Sequence, residues 1–153
     1  MSRPTHRRFL PRFFATALCL AALGALTACT TPRAPSTTPE VAACSTAFCN
    51  ITDERWAHIN ERHCQGTCSA NNKSIFVPAY CGSKANAVTF CQDLMNRPNC
   101  TGTAQPNNRV AYSATFTGKV GDNRNDHCAD TTRGTVIYET TTSKVITQFP
   151  GDP

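Results

Sequence analysis

This sequence predicts an α+β domain, rich in disulfides, with one or two N-terminal helices packed on a four-stranded antiparallel sheet. Helical patterns fall early, at residues 52–63 and 84–96, and strand patterns mostly late, at 109–119, 135–140 and 144–149. That segregation fits helices laid on one face of an antiparallel sheet, not a βαβ crossover. Beyond residue 41 the chain carries eight cysteines, an even number for one small domain. No internal repeat and no second linker interrupts residues 42–153.

Residues 1–28 read as an export signal. Arg3, Arg7, Arg8 and Arg12 form a basic start, and the stretch from Phe13 to Ala25 is its apolar centre. Leu26-Thr-Ala-Cys29 resembles a bacterial lipobox, which makes Cys29 the expected lipidated N-terminus of the mature chain. Thr30 follows in place of an inner-membrane-retaining aspartate, so the expected address is the outer membrane, on its periplasmic face or at the cell surface. Stable anchoring needs two hydrocarbon chains, which such a lipid exceeds. Residues 29–41 form the lipidated tether, rich in Pro and Thr, with a reach of roughly 40 Å. Of fifteen Lys and Arg residues four lie in the signal, leaving eleven against ten acids, a net of +1 where the whole chain has +5. Bulk charge therefore makes no case for nucleic-acid binding, and only a local cluster can.

The segment from Ile51 to His63 opens the domain as a helix. Thr52 is the expected N-cap, Asp53 and Glu54 suit the positive end of the dipole, and Arg62 and His63 suit the negative end. Ile51 and Trp56 have the spacing of a hydrophobic staple. Trp56, Ile59 and His63 share a core-facing stripe, while Arg55, His58 and Arg62 share a neighbouring one. Two guanidinium groups flanking an imidazole suit a phosphate-handling surface; the alternative is an ordinary solvated helix face.

Residues 74–77 predict a short strand ended by Pro78. Ser83 caps a second helix whose expected buried stripe is Ala87, Val88, Cys91, Leu94 and Met95, with Pro98 beyond its end. Between residues 109 and 119, Val110, Tyr112, Ala114 and Phe116 alternate with polar or small residues, so one face is expected in the core and one in water. Residues 121–126 read as a loop, and residues 135–140 and 144–149 as a hairpin. Cys44, Cys49, Cys64, Cys68, Cys81, Cys91, Cys100 and Cys128 supply up to four disulfides, their pairing left open by sequence. Each bridge would contribute about 2–4 kcal/mol. His63, Cys64 and Cys68 have spacing a zinc ion can use, but export and the even count favour disulfides, so no metal or cofactor is expected.

His58-Ile-x-x-Arg62-His63 resembles the opening helix of bacterial toxin ribonucleases, and Val145-Ile-Thr-Gln-Phe-Pro-Gly151 is similar to the strand that closes many of those domains. The family is the barnase–EndoU–colicin–RelE-like superfamily, and the resemblance spans roughly residues 51–151. It implies an active site on the exposed sheet face and metal-free RNA cleavage by attack of the 2′-OH on the adjacent phosphorus. His58 or His63 would move the proton, Arg62 would hold the phosphate, Thr147 and Thr135 would hydrogen-bond it, and Arg55 would bind substrate. His58 and His63 lie about 140° apart around a helix, so only one is expected to face the site. His58, beside Arg55 and Arg62, is the first choice, with His63 packing beside Ile59.

The export signal and the disulfides set this chain apart from toxins that act on cytosolic RNA. They equally suit a second class: a non-enzymatic outer-membrane lipoprotein binding module, an inhibitor or immunity-type partner. A cell-wall hydrolase ranks behind both, because the ten acids offer no paired carboxylates. The expected partners are the membrane through Cys29, RNA, or an envelope protein, with the chain itself monomeric.

Overall fold

Residues 43–153 are described in the computed structural model; the signal, Cys29 and the tether lie outside the described residues. Three helices, α1 (Asp53–His63), α2 (Cys68–Asn71) and α3 (Lys84–Met95), accompany seven strands. These are β1 (Ile75–Phe76), β2 (Thr101–Gln105), β3 (Arg109–Thr115), β4 (Gly121–Asn123), β5 (Ala129–Thr131), β6 (Arg133–Glu139) and β7 (Lys144–Pro150). The main sheet is four-stranded and antiparallel in the order β2-β3-β6-β7, and a smaller sheet runs β1-β4-β5. The fold is thus α+β and disulfide-rich. Among the described residues no helix is long and apolar enough to cross a membrane.

Both longer helices start where capping chemistry places them. Thr52 Oγ1 accepts from the Arg55 N–H at 3.3 Å, and Ser83 Oγ accepts from the Asn86 N–H at 3.2 Å. Register puts Tyr112, Val136 and Gln148 in one row across the sheet, on the side that meets α3. There the Gln148 amide donates to the Ala87 carbonyl at 3.0 Å. Phe90, Leu94, Ile59 and Val136 are fully buried between the layers, and Phe90 stacks on Phe116 at 5.6 Å. A buried phenyl ring of this kind contributes about 1.5–3 kcal/mol. The opposite side of the sheet carries Ser113, Thr135 and Phe149 in one row and Ala111, Ile137 and Thr147 in the next.

Four disulfides staple the layers: Cys44–Cys100, Cys49–Cys91, Cys64–Cys81 and Cys68–Cys128. The Cys49–Cys91 bridge ties α3 to the segment ahead of α1. With Cys64 and Cys68 in different bridges, neither thiol is free for the zinc arrangement.

Several elements differ from the sequence-based expectation. The strand at 74–77 shrinks to β1 and joins the small sheet, while the fourth strand of the main sheet is β2. β2 is an edge strand whose Thr101, Thr103 and Ala104 are exposed, so it carries no apolar alternation to reveal it. Strand β3 stops at Thr115, and both its faces are covered: Ala111 and Ser113 are 1% and 5% exposed. An interior strand flanked by β2 and β6 leaves little of a small side chain open to water. The loop at 121–126 contains β4 and a 3-10 turn over Arg124–Asp126. On α3, Phe90 is in the core and Val88 only half-buried.

Candidate anion-binding site at the end of the first helix

The last two turns of α1 run beside the edge strand β7. Cys64, directly after the helix, is bonded to Cys81 and fixes that end. Arg62 and His63 occupy the last turn, where positive charge meets the negative end of the dipole. Beside them a concavity of about 230 Å³ opens against β7 and the small sheet.

Four stretches of chain converge there. From α1 come His58, Arg62 and His63, and from the approach to β1 come Lys73 and Ser74. The 3-10 turn contributes Arg124 and Asn125, and β7 with the residues after it contributes Thr147, Phe149 and Asp152. Thr147 and Phe149 reach the pocket together because alternate strand residues share a face. Among the described residues Arg62 and Lys73 make no ion pair, and the Arg124 guanidinium donates only to Asn125 Oδ1, at 3.2 and 3.3 Å. Asp152, the one acidic side chain among the lining residues, is paired with Arg133. The site is therefore cationic although the domain as a whole is nearly neutral.

The two imidazoles differ. His63 is half-buried, with its ring 5.7 Å from Phe149 and 6.4 Å from Phe76. Its Nδ1–H donates to the Ser74 carbonyl at 2.8 Å, which leaves Nε2 with the lone pair. Burial lowers its pKa from 6.5 to about 4, against the opposing pull of the Ser74 bond, with smaller contributions from His58, Arg62 and Lys73. His58 is exposed at the surface, and its pKa is also lowered, first by partial desolvation and then by Arg62 and Arg55. Both rings are neutral at pH 7.

The helix angle predicted that only one histidine could face the site, yet both line it. Five residues separate them by about 7.5 Å along the axis as well as by angle, and the concavity wraps the end of the helix. His63 packs on the phenyl rings named above, not simply beside Ile59. Arg62 and Thr147 sit at the pocket as well. Arg55 is half-buried on α1 but not among the lining residues, and Thr135 is elsewhere. Thr135 is fully buried, with its hydroxyl donating to the Gly151 carbonyl at 2.7 Å and 3.0 Å from Ser113 Oγ. It braces the turn that follows β7 and has no path to a ligand here.

Thr147 has a further peculiarity. Its Oγ1 is shielded from solvent and has no hydrogen-bond partner within the protein. Turning χ1 to another staggered well exchanges the hydroxyl and the methyl, so the same side chain can present either to the pocket. Gly151 is required where the chain leaves β7: its φ is +102°, and a Cβ there would fall 2.5 Å from Asn123 Oδ1. That oxygen caps the 3-10 turn by accepting from the Asn125 N–H at 3.0 Å.

Sequence reasoning missed Lys73, Ser74, Arg124, Asn125, Phe149 and Asp152. Arg124 and Asn125 were legible only as loop residues, because nothing in linear spacing relates them to α1. Comparison of the chain with protein-family models, with curated proteins and with solved structures finds no match. Three cations without carboxylate partners, two neutral imidazoles and a threonine hydroxyl can bind a phosphate, accept a proton and return one. Among the described residues no cluster of three or more His, Cys, Asp or Glu is placed to hold a metal ion.

Proposed function

We propose that this chain is an exported, lipid-anchored ribonuclease-like protein that cleaves RNA without a metal, using His58, His63, Arg62 and Thr147. The observation that carries the reading is the convergence of both histidines, Arg62 and Thr147 in one pocket with Lys73 and Arg124. Cleavage by an internal 2′-OH needs a base for that hydroxyl, an acid for the departing 5′-oxygen, and cations on the phosphoryl oxygens. A neutral imidazole is the base. His63 has its tautomer set by Ser74, and its Nε2 is the acceptor. His58, flanked by Arg62, serves the departing oxygen on the other side, its proton affinity raised once the phosphate is bound. Arg62, Lys73 and Arg124 stabilise the charge that grows on the phosphorane, and Phe149 offers a ring face to a base. Export is supported by the four disulfides, which persist in oxidising compartments.

The test is RNA cleavage by the oxidised domain, residues 42–153, in the presence of a chelator, beside His58→Ala and His63→Ala. Products ending in a cyclic phosphate, lost in either variant, are the expected result. No cleavage by a correctly bridged sample would overturn the ribonuclease reading in favour of a tethered binding module.

A further inference from the structure

We infer that Ser74 is a positioning residue that couples the two sides of the pocket, holding the Arg124 turn through its hydroxyl and the His63 ring through its carbonyl. The inference rests on the phosphodiester-cleaving reading only for its consequence in catalysis, since the coupling itself is a matter of anion binding. Ser74 is 8% exposed and stands one residue before β1. Ile75 lies opposite Asp122 in the ladder, so Ser74 reaches the point where β4 gives way to the 3-10 turn. Its Oγ accepts from the Arg124 N–H at 3.0 Å, and its carbonyl accepts from His63 Nδ1–H at 2.8 Å. One buried residue thus bonds to elements 11 residues before it and 50 after it.

The turn is capped from within by Asn123 Oδ1, but that bond does not tie it to the α1 side of the pocket. His127 and Cys128 that close it have φ of 50° and 63°, a left-handed conformation that non-glycine residues keep only when held. The far end is held by the Cys68–Cys128 bridge and by the Cys128 N–H donating to the Asn123 carbonyl at 2.9 Å. The near end, where Arg124 enters the pocket, is held by the Ser74 hydroxyl. The Arg124 side chain adds no anchor beyond its own neighbour Asn125. Removing the Ser74 hydroxyl therefore unties the Arg124 main chain from the β1 side of the pocket and loosens its cation, while the His63 bond, made by a backbone carbonyl, does not depend on the side chain.

That asymmetry gives the experiment. Inorganic phosphate is titrated against the oxidised full-length chain as wild type, Ser74→Ala, Arg124→Ala and the double variant, with histidine ring nitrogens followed by NMR. Ser74→Ala and Arg124→Ala are each expected to weaken phosphate binding about three- to tenfold. The double variant should bind no more weakly than Arg124→Ala alone, the signature of two residues acting as one unit. Ser74→Thr, which keeps the acceptor, should bind as the wild type does, and His63 should stay in its Nδ1–H tautomer throughout. An undiminished Ser74→Ala loss in the Arg124→Ala background would overturn the coupling. So would phosphate affinity indifferent to Arg124→Ala, or a Ser74→Thr variant as weak as Ser74→Ala. Arg124 is exposed, so its variant tests the site even where a Ser74 variant folds poorly. A wild type that binds phosphate but leaves RNA intact would remove the ribonuclease reading and leave this coupling standing.

Discussion

Thr147→Val should make the protein more stable and less active, and the two changes have one cause. Thr147 Oγ1 is shielded from solvent and unpaired within the protein, so the folded state carries a hydroxyl stripped of water for no local return. Leaving such a group unsatisfied costs about 1–3 kcal/mol. Valine has nearly the same shape on the same β-branched frame and suits a strand at least as well. The substitution is therefore expected to raise unfolding stability by about 1–2 kcal/mol. In a domain of this size that is a melting temperature higher by about 4 °C per kcal/mol. The activity prediction runs the other way. A hydroxyl that turns toward the pocket to donate to a phosphoryl oxygen in the transition state is worth about tenfold in kcat, and up to 10²–10³ if it acts as an oxyanion-hole donor. Thermal melts of the oxidised protein and kcat on a short RNA read both quantities from one preparation. A destabilised Thr147→Val would show that the hydroxyl has a partner in solution. A stabilised variant with undiminished kcat would show that the hydroxyl has no part in the chemistry.

Other expectations follow from the same geometry. The folded-state pKa of His63 lies near 4 against 6.5 for the unmodified group, so the unfolded chain binds the extra proton between those values. Stability is then fully present above pH 6.5 and declines as pH falls toward 4, by about 3 kcal/mol at most; His63→Gln should lack that slope in denaturant titrations at a series of pH values. The acid limb of kcat/KM should fall below pH 6.5, since both imidazoles are held neutral to lower pH than usual; a limb centred above 6.5 would exclude both as the base. His58→Ala and His63→Ala should each lower kcat by about 10²–10⁴, measured on RNA at saturating concentration. Replacing Cys68 and Cys128 by alanine should cost about 2–5 kcal/mol in urea unfolding and weaken phosphate binding, because that bridge holds the far end of the Arg124 turn.

Much of the scaffold was readable where a local rule acts alone. Thr52 and Ser83 announce the helix starts because a capping hydroxyl needs nothing beyond its own next three residues. The β6–β7 hairpin is announced by two β-branched runs around a threonine-rich turn. Strand β2 was invisible because its partner supplies its stability: Thr101 to Gln105 pair along β3 at an exposed edge and bury almost nothing themselves. The one local sign was the pair Asn107 and Asn108, whose left-handed φ of 62° and 55° is what asparagine tolerates in a tight hairpin turn.

The site divides along the same line. His58, Arg62 and His63 could be picked out because one helix presents them, and Thr147 because a strand motif singled it out. Their company could not. Lys73 and Arg124 are 51 residues apart in sequence and are brought together by the short β1–β4 pairing, the Ser74 hydroxyl and a disulfide whose partner sequence alone could not name. Net charge is silent for the same reason: a sum near zero over the described residues hides three cations, Arg62, Lys73 and Arg124, that line one pocket from three elements without an ion pair among those residues. What determines whether this pocket handles phosphate is not how many basic residues the domain has, but which of them the fold leaves without a carboxylate. Arg133 and Lys84 each have one, and among the described residues Arg62 and Lys73 do not.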